Sequence, residues 1–215
     1  MKILSTQSLA IKDIMIIRFQ RFSDNRGYFS EPFRETDFFA EAQLSHLAGA
    51  RFVQVNESYS NANVVRGLHF QWNPFMGKLV RTIHGRMTDI ILDIRKGSPT
   101  LGKALLYDLP SSAERDYNEW IWVPPGFAHG NYFTKETCIE YFCTGEYSPG
   151  CEAGISPAAS DIDWSLADPS LVAELSGLLN SDAILSEKDR AGLSLSEWLA
   201  DPRSENFTTQ NISRW

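Results

Sequence analysis

The segment "VVRGLHFQWNPFMGKLVR" sets Arg66, Lys78 and Arg81 around a single histidine, His69, in an otherwise acidic chain. An imidazole can act as a general base, a metal ligand or a structural group satisfied by a backbone carbonyl, and the residue alone leaves these readings open. Positive neighbours disfavour a further positive charge, so they keep the ring neutral, the form that accepts a proton. Each cation taken singly is most often solvated. As a cluster they point to an anionic ligand held locally. A regular strand over "RGLHFQ" would put Arg66 and His69 on opposite faces. Their cooperation therefore requires a bulge or bend, and Gly67 is the residue suited to one.

Other residues could join this chemistry. His129 lies in "WIWVPPGFAHGNYF", just after the turn formers Pro124, Pro125 and Gly126. A metal centre needs several convergent His or carboxylate ligands. No His-x-His pair occurs, and His46 and His84 show no useful spacing, so a metal is disfavoured. In "IEYFCTGEYSP", Tyr141 and Tyr147 could be proton donors or plain sheet aromatics. In "FVQVNESYS", alternation places Gln54, Asn56 and Ser58 on one face and Val53 and Val55 on the other. Half-exposed strands are common, which favours the polar face as a solvated exterior; a barrel enclosing a ligand would turn it inward.

These residues need elements to position them. "IMIIRFQRF" followed by "SDNRGYF" predicts a hairpin turning at Asp24, Asn25 and Gly27. "RETDFFAEAQLSHL" predicts a helix with Thr36 as N-cap and Gly49 as stop. From Phe52 to about Thr144 come short β-rich runs punctuated by Gly, Pro, Asn and Ser, the pattern of a sandwich or barrel. Beyond Trp164, "DPSLVAELSGLLN" and "SEKDRAGLSLSEWLA" read as helical, and "DPRSENFTTQNISRW" as a polar tail ending at Trp215. No internal repeat is present.

The 215 residues suffice for one main domain with a sizeable core. A net charge of −7 and the lack of a Lys/Arg-rich run argue against a nucleic-acid partner. The three cysteines, Cys138, Cys143 and Cys151, suit free thiols in a reducing compartment, and no segment approaches a membrane span. A cytoplasmic protein without a membrane partner is expected.

The ordered motifs "FSDNRGYFSEPF", "FVQVNESYS", "VVRGLHFQ", "GKLVRTIHGRMTDIILDIRKGSPTLGK", "WVPPGFAHG", "YFCTGEYSP" and "DIDW" resemble the dTDP-4-dehydrorhamnose 3,5-epimerase family over nearly all of the first ~165 residues. The resemblance implies an all-β dominated chain: a cupin-type antiparallel barrel, or jelly roll, with a few peripheral helices, mainly C-terminal. The expected division is a barrel with its N-terminal hairpin over residues 1–165 and a helical extension and tail over 166–215 packing on it. The implied activity is epimerisation, at C3 and/or C5, of a 4-keto-6-deoxy sugar carried on a nucleotide diphosphate, as in dTDP-L-rhamnose-type biosynthesis. No metal or organic cofactor is implied.

By the same resemblance His69 is the base, Asp189 in "LSEKD" its orienting carboxylate, Tyr141 the acid on the opposite face, and Lys78 the cation beside the enolate oxygen. Arg66 would meet the diphosphate, and His129 would line the pocket. Gln54, Asn56 and Tyr147 would contact the sugar nucleotide, Tyr147 near the base. Arg26 and Glu31 resemble the segment that reaches a neighbouring subunit's nucleotide, which implies a homodimer whose site the partner completes. The chain departs from the family pattern at Asn131, where an aromatic is usual, in a short "CEAGISPAASDIDW", and in a longer C-terminal part. Those departures bear on which sugar and which carbons are involved. Competing readings are a C3-only epimerase or ketoisomerase, a noncatalytic sugar-nucleotide-binding cupin, and a metal-dependent cupin oxygenase.

Overall fold

A computed structural model describes residues 1–47 and 49–212; the side chain of His46 and the terminal Trp215 fall outside the described residues. The chain forms strands β1 (Ile3–Ser8), β2 (Met15–Asp24), β3 (Gly27–Ser30), β4 (Gln54–Ser60), β5 (Val65–Gln71), β6 (Lys78–His84), β7 (Arg86–Asp93), β8 (Ala104–Pro110), β9 (Tyr117–Val123), β10 (Phe127–Phe133), β11 (Thr137–Cys143) and β12 (Glu152–Gly154). Helices are α1 (Glu35–Ala40), α2 (Pro169–Leu179), α3 (Glu187–Arg190), α4 (Leu195–Ala200) and α5 (Thr209–Ile212), with 3-10 turns at Ala42–Leu47 and Pro202–Phe207.

The strands build two antiparallel sheets. One has the order β1-β2-β9-β6-β11-β4, with β3 folded onto β2; the other runs β12-β5-β10-β7-β8. Period-two alternation gives each sheet an inner and an outer face. Ile16, Val80, Ile121 and Ile139 from the first sheet meet Met87, Ile91, Leu105, Phe127 and Phe133 from the second in a shared inner core. This is a cupin-type barrel with a filled apolar end.

The outer faces carry covers as well, which explains why β7 and β10 are buried almost throughout although they hold polar residues such as Asp89, His129 and Asn131. On the first sheet, Met15, Ile17, Phe19, Leu79, Trp120 and Trp122 pack under Phe38 of α1 and under Leu44 and Leu47. On the second, Leu68, Phe70, Ile90, Leu92 and Tyr132 lie under Leu175, Leu178, Leu195, Trp198, Phe207 and Ile212 from the C-terminal part. The tail from Asp201 is polar in composition yet supplies Phe207 and Ile212 to this cover. Phe207 is fully buried, with its ring 5.3 Å from Phe70 and 5.8 Å from Trp198, because an outer sheet face this apolar needs a cover.

Two local expectations also change. The first helix begins after Arg34, whose side chain makes no cap bond, so Thr36 lies inside α1 rather than capping it. After Ala40 the chain tightens into a 3-10 turn instead of continuing as α-helix. The hairpin forms as expected: Asp24 pairs with Gly27 across Asn25 and Arg26, and Asp24 Oδ1 accepts the Arg26 backbone N–H at 2.8 Å. Phe207→Ala is predicted to destabilise the fold by about 3–5 kcal/mol in urea unfolding, the range for a buried aromatic. A loss below about 1 kcal/mol would contradict the C-terminal cover being part of the core.

Candidate active site

The end of the barrel opposite the apolar inner core is lined by polar side chains. Its placement depends on β5. His129 on β10 sits opposite His69, but Asn131 sits opposite Arg66, so three steps along β5 span two along β10. The extra residue is accommodated at Gly67, whose φ is 106°. A Cβ there would stand 2.7 Å from the Gly130 Cα and 2.8 Å from the His129 carbonyl, and one on Gly130 would strike the Arg66 carbonyl. The bulge expected from the sequence is present, and it brings Arg66 and His69 to one cavity.

The cavity has two chambers. The larger, about 520 Å³, is lined by residues including Gln54, Asn56, Gln71, Tyr147, Glu152 and Lys188. The smaller, about 250 Å³, includes Ser58, Arg66, Val80, Asn131, Ile139 and Asp189. His69, Lys78, His129 and Tyr141 line both and so mark where the chambers meet.

His69 Nε2 lies 2.6 Å from Asp189 Oδ1. The two atoms form a close contact without the in-line geometry of a hydrogen bond. Asp189 is held on α3, whose flanks are tied to the barrel: Val65 N–H donates to the Ile184 carbonyl at 3.0 Å, and Leu193 N–H to the Gly154 carbonyl at 3.0 Å. Burial by itself would push the Asp189 carboxyl up. The His69 ring, the Ser186 hydroxyl and the Gly67 N–H outweigh burial and hold it below the ordinary carboxylate value. With Nε2 turned to Asp189, Nδ1 is the ring nitrogen left for a ligand.

The other groups at the junction are set by strand alternation. Lys78 and Val80 of β6 and Ile139, Tyr141 and Cys143 of β11 point inward. Lys78 keeps partial exposure to the cavity, yet protein surrounds it closely enough that desolvation lowers its ammonium pKa, against the opposing pull of Cys143, Asp89 and Glu152. It makes no hydrogen bond or ion pair with a described residue. The Tyr141 phenol is pushed up by burial and by Cys143, partly offset by Asn56 and Arg66, so it stays protonated at neutral pH. His129 Nε2 is 2.8 Å from Oδ1 of the fully buried Asp89. Among the described residues, no three His, Cys, Asp or Glu side chains converge as metal ligands.

The polar stripe of β4 faces the cavity, which overturns its reading as a solvated exterior. Gln54 and Asn56 line the larger chamber and are linked at 3.0 Å, whereas Val53, Val55 and Tyr59 are exposed. Gln54 Oε1 also accepts the Tyr147 N–H at 2.9 Å. Arg66 sits at the exposed rim, donating to Ser60 Oγ at 2.9 Å and to the Tyr59 carbonyl at 3.2 Å.

Arg81 does not join the other cations. Alternation turns it to the outer face, where it pairs with Glu140 at 2.9 Å and lies 5.0 Å from the Trp120 ring centre. Neither Arg26 nor Glu31 lines this chain's cavity. Arg26 is held by Asp24 at the hairpin tip, and Glu31 pairs with Arg34 and the N-terminal amine.

Sequence reasoning passed over Glu152, Lys188 and Asp89. Lys188 Nζ and the Tyr147 hydroxyl both donate to Glu152 Oε1, at 2.6 and 2.8 Å, at the larger chamber. The available signals were the adjacency of Lys188 to Asp189 and an acid, Asp89, directly before the apolar run "IIL" in a strand pattern.

The double-sheet barrel with an imidazole, a phenol and an ammonium around one lumen defines a cupin-type protein with a polar cavity. Residues 8–197 match the family described as dTDP-4-dehydrorhamnose 3,5-epimerase. A dTDP-4-dehydrorhamnose 3,5-epimerase of Sinorhizobium fredii is 40% identical over 196 residues, covering 89% of each chain. The structure of a dTDP-6-deoxy-D-glucose-3,5-epimerase from Legionella pneumophila, in complex with dTDP-4-keto-L-rhamnose, aligns with a TM-score of 0.75 at 32% identity, over 95% of this chain and 97% of that one. A 4-keto-6-deoxy sugar epimerase from the novobiocin gene cluster of Streptomyces spheroides aligns with a TM-score of 0.76 at 26% identity, over 99% and 96%. The chain belongs to the dTDP-4-dehydrorhamnose 3,5-epimerase family and is an epimerase-type isomerase.

The depressed Asp189 pKa carries a linkage prediction. Its contribution to stability is complete above the unfolded carboxylate value of about 4 and is lost as pH falls through the lower folded value. The stability gap between wild type and Asp189→Asn should therefore shrink on acidification through that window in urea titrations. A gap that stays level or widens there would contradict the His69–Asp189 contact.

Proposed function

We propose that the protein epimerises a nucleotide-diphosphate-linked 4-keto-6-deoxy sugar at C3 and/or C5 by proton transfer through an enolate. The observation that carries this reading is the meeting of both chambers at His69, Lys78, His129 and Tyr141. Neutral His69 accepts the carbon-bound proton on Nδ1, while the Asp189 carboxylate, close to the other ring nitrogen, electrostatically favours the tautomer protonated there and stabilises the imidazolium that forms. The electron pair moves onto the ketone oxygen as the C–H bond breaks. The Lys78 ammonium, without a fixed counter-ion, stabilises that oxyanion. Tyr141 then returns a proton to the opposite face of the planar carbon, and exchange with solvent restores phenol and imidazole.

The larger chamber, about 520 Å³, is the proposed nucleotide site, with Gln54, Asn56 and Tyr147 of its lining as the proposed contacts. Arg66 at the rim is the proposed diphosphate partner, since its planar fork suits phosphate oxygens. A homodimer is proposed from the apolar outer stripe of β4, an edge strand, and from exposed Phe22 and Phe29 on the hairpin. In that assembly Arg26 and Glu31 would reach the partner's nucleotide. No described helix is long and apolar enough to cross a membrane; a cytoplasmic setting is proposed.

The test is to incubate a dTDP-4-keto-6-deoxy sugar in deuterium oxide. Wild type is expected to introduce deuterium at each carbon it inverts, which also separates C3-only from double epimerisation. His69→Asn should lose exchange and inversion together by about 10²–10⁴-fold. Tyr141→Phe should retain exchange, because His69 can return a deuteron to the face it deprotonates, while losing inversion. Absence of exchange in wild type with such substrates, or full activity in His69→Asn, would remove the proposal.

The role of Lys78 is tested separately. Lys78→Met should lower kcat by about 10²–10³-fold, the cost of losing one oxyanion donor. A change confined to KM would assign Lys78 to ground-state binding instead.

A further inference from the structure

We propose that Asn131 is a specificity residue that hydrogen-bonds a ring hydroxyl of the sugar in the smaller chamber. The inference rests on the sugar-nucleotide reading above and deepens it. Asn131 lies on β10 and shares the inward face with His129, two residues earlier, while the neighbouring inward positions Phe127 and Phe133 belong to the apolar inner core. Only 6% of Asn131 is exposed, and it lines the chamber that Ser58 and Ser186 also line.

Its carboxamide offers two donors and an acceptor. None is used by a described residue. A polar side chain buried this far is ordinarily hydrogen-bonded, so an amide left open on a cavity wall is available to what the cavity holds. At about 250 Å³ the chamber is far larger than one water, whose share of liquid volume is about 30 Å³.

The opposite wall supplies the contrast. Val80 and Ile139 present only hydrocarbon, suited to a methyl group or to the apolar edge of a ring. A hydroxyl matches the Asn131 amide because it both donates and accepts. A ring lying between His69 and Tyr141 thus meets a hydrocarbon patch at Val80 and Ile139, set among Ser58, Lys78 and Tyr141, and across from it an amide that rewards a hydroxyl. Sites built to hydrogen-bond a hydroxyl reject the analogue lacking it, since the protein group is then left unpaired.

The experiment is a ligand–variant cycle by calorimetric titration, using dTDP-6-deoxyglucose and its 2-deoxy and 3-deoxy analogues with wild type, Asn131→Leu and Asn131→Ala. Melting midpoints verify folding, and the smaller Asn131→Ala guards against overpacking by leucine. Wild type is expected to bind the full ligand at least about tenfold more tightly than one deoxy analogue. In both variants that ratio should fall to within about twofold, mainly by weaker binding of the hydroxylated ligand. An unchanged ratio in the folded variants, or an equal loss for all three ligands, overturns the assignment of Asn131. Failure of wild type to bind any of the ligands overturns both this inference and the sugar-nucleotide reading. Coupling at Asn131 in a protein that gives no deuterium exchange upholds the hydroxyl contact and removes the proposed reaction.

Discussion

The close approach of Gly67 to Gly130 is the constraint on which the site depends. Strands β5 and β10 come together so tightly there that neither position has room for a Cβ, and the extra residue of β5 is absorbed at that point. Without it, alternation would separate Arg66 from His69. The same distortion turns the Gly67 N–H toward Asp189, which shares in holding that carboxylate ionised. On the other side, β12 pairs Gly154 with His69, and a Cβ on Gly154 would stand 3.2 Å from the imidazole edge. Glycines therefore set both the backbone path and the space for the ring.

Polar groups in the lumen burden the fold, and its layering supports them. Lys78 is desolvated without an ion pair, and Asp89 is fully buried with one oxygen unpartnered. Such groups cost stability, because burial disfavours charge and an unmet acceptor loses its hydration. The compensation comes from three apolar layers: the filled end of the lumen and the aromatic-rich covers on both outer sheet faces. The C-terminal cover has a second effect. The segment that buries Trp198 and Phe207 also carries α3, so the carboxylate facing His69 is supplied by a part of the chain anchored through the outer core.

Much of this arrangement was legible in the chain. Gly67 announced the bulge because two chemically apt residues stood three apart in a strand pattern, and the Asp24–Gly27 turn announced the hairpin. Asp189 was reached through its motif and not through spacing, since the contact with His69 spans 120 positions of sequence (189 − 69) and arises from the docking of α3. Arg81 was misjudged because proximity in sequence ignores the face on which a strand residue lies. The β4 stripe was ambiguous for a related reason: alternation reveals that two faces differ, and only the second sheet decides which is inside. Phe207 and Ile212 were hidden by the polar residues around them. A short segment that plugs a sheet face needs few apolar side chains and leaves little periodic signal.

The central claim is geometric: a planar sugar ring is held with the His69 imidazole on one face and the Tyr141 phenol on the other. A crystal structure of the protein with an unreactive dTDP-sugar tests it most directly. The account predicts the ring where the two chambers meet, His69 Nδ1 and the Tyr141 hydroxyl approaching it from opposite faces, and Lys78 Nζ beside the oxygen at C4. A ring bound elsewhere, or imidazole and phenol on the same face of it, would contradict the account.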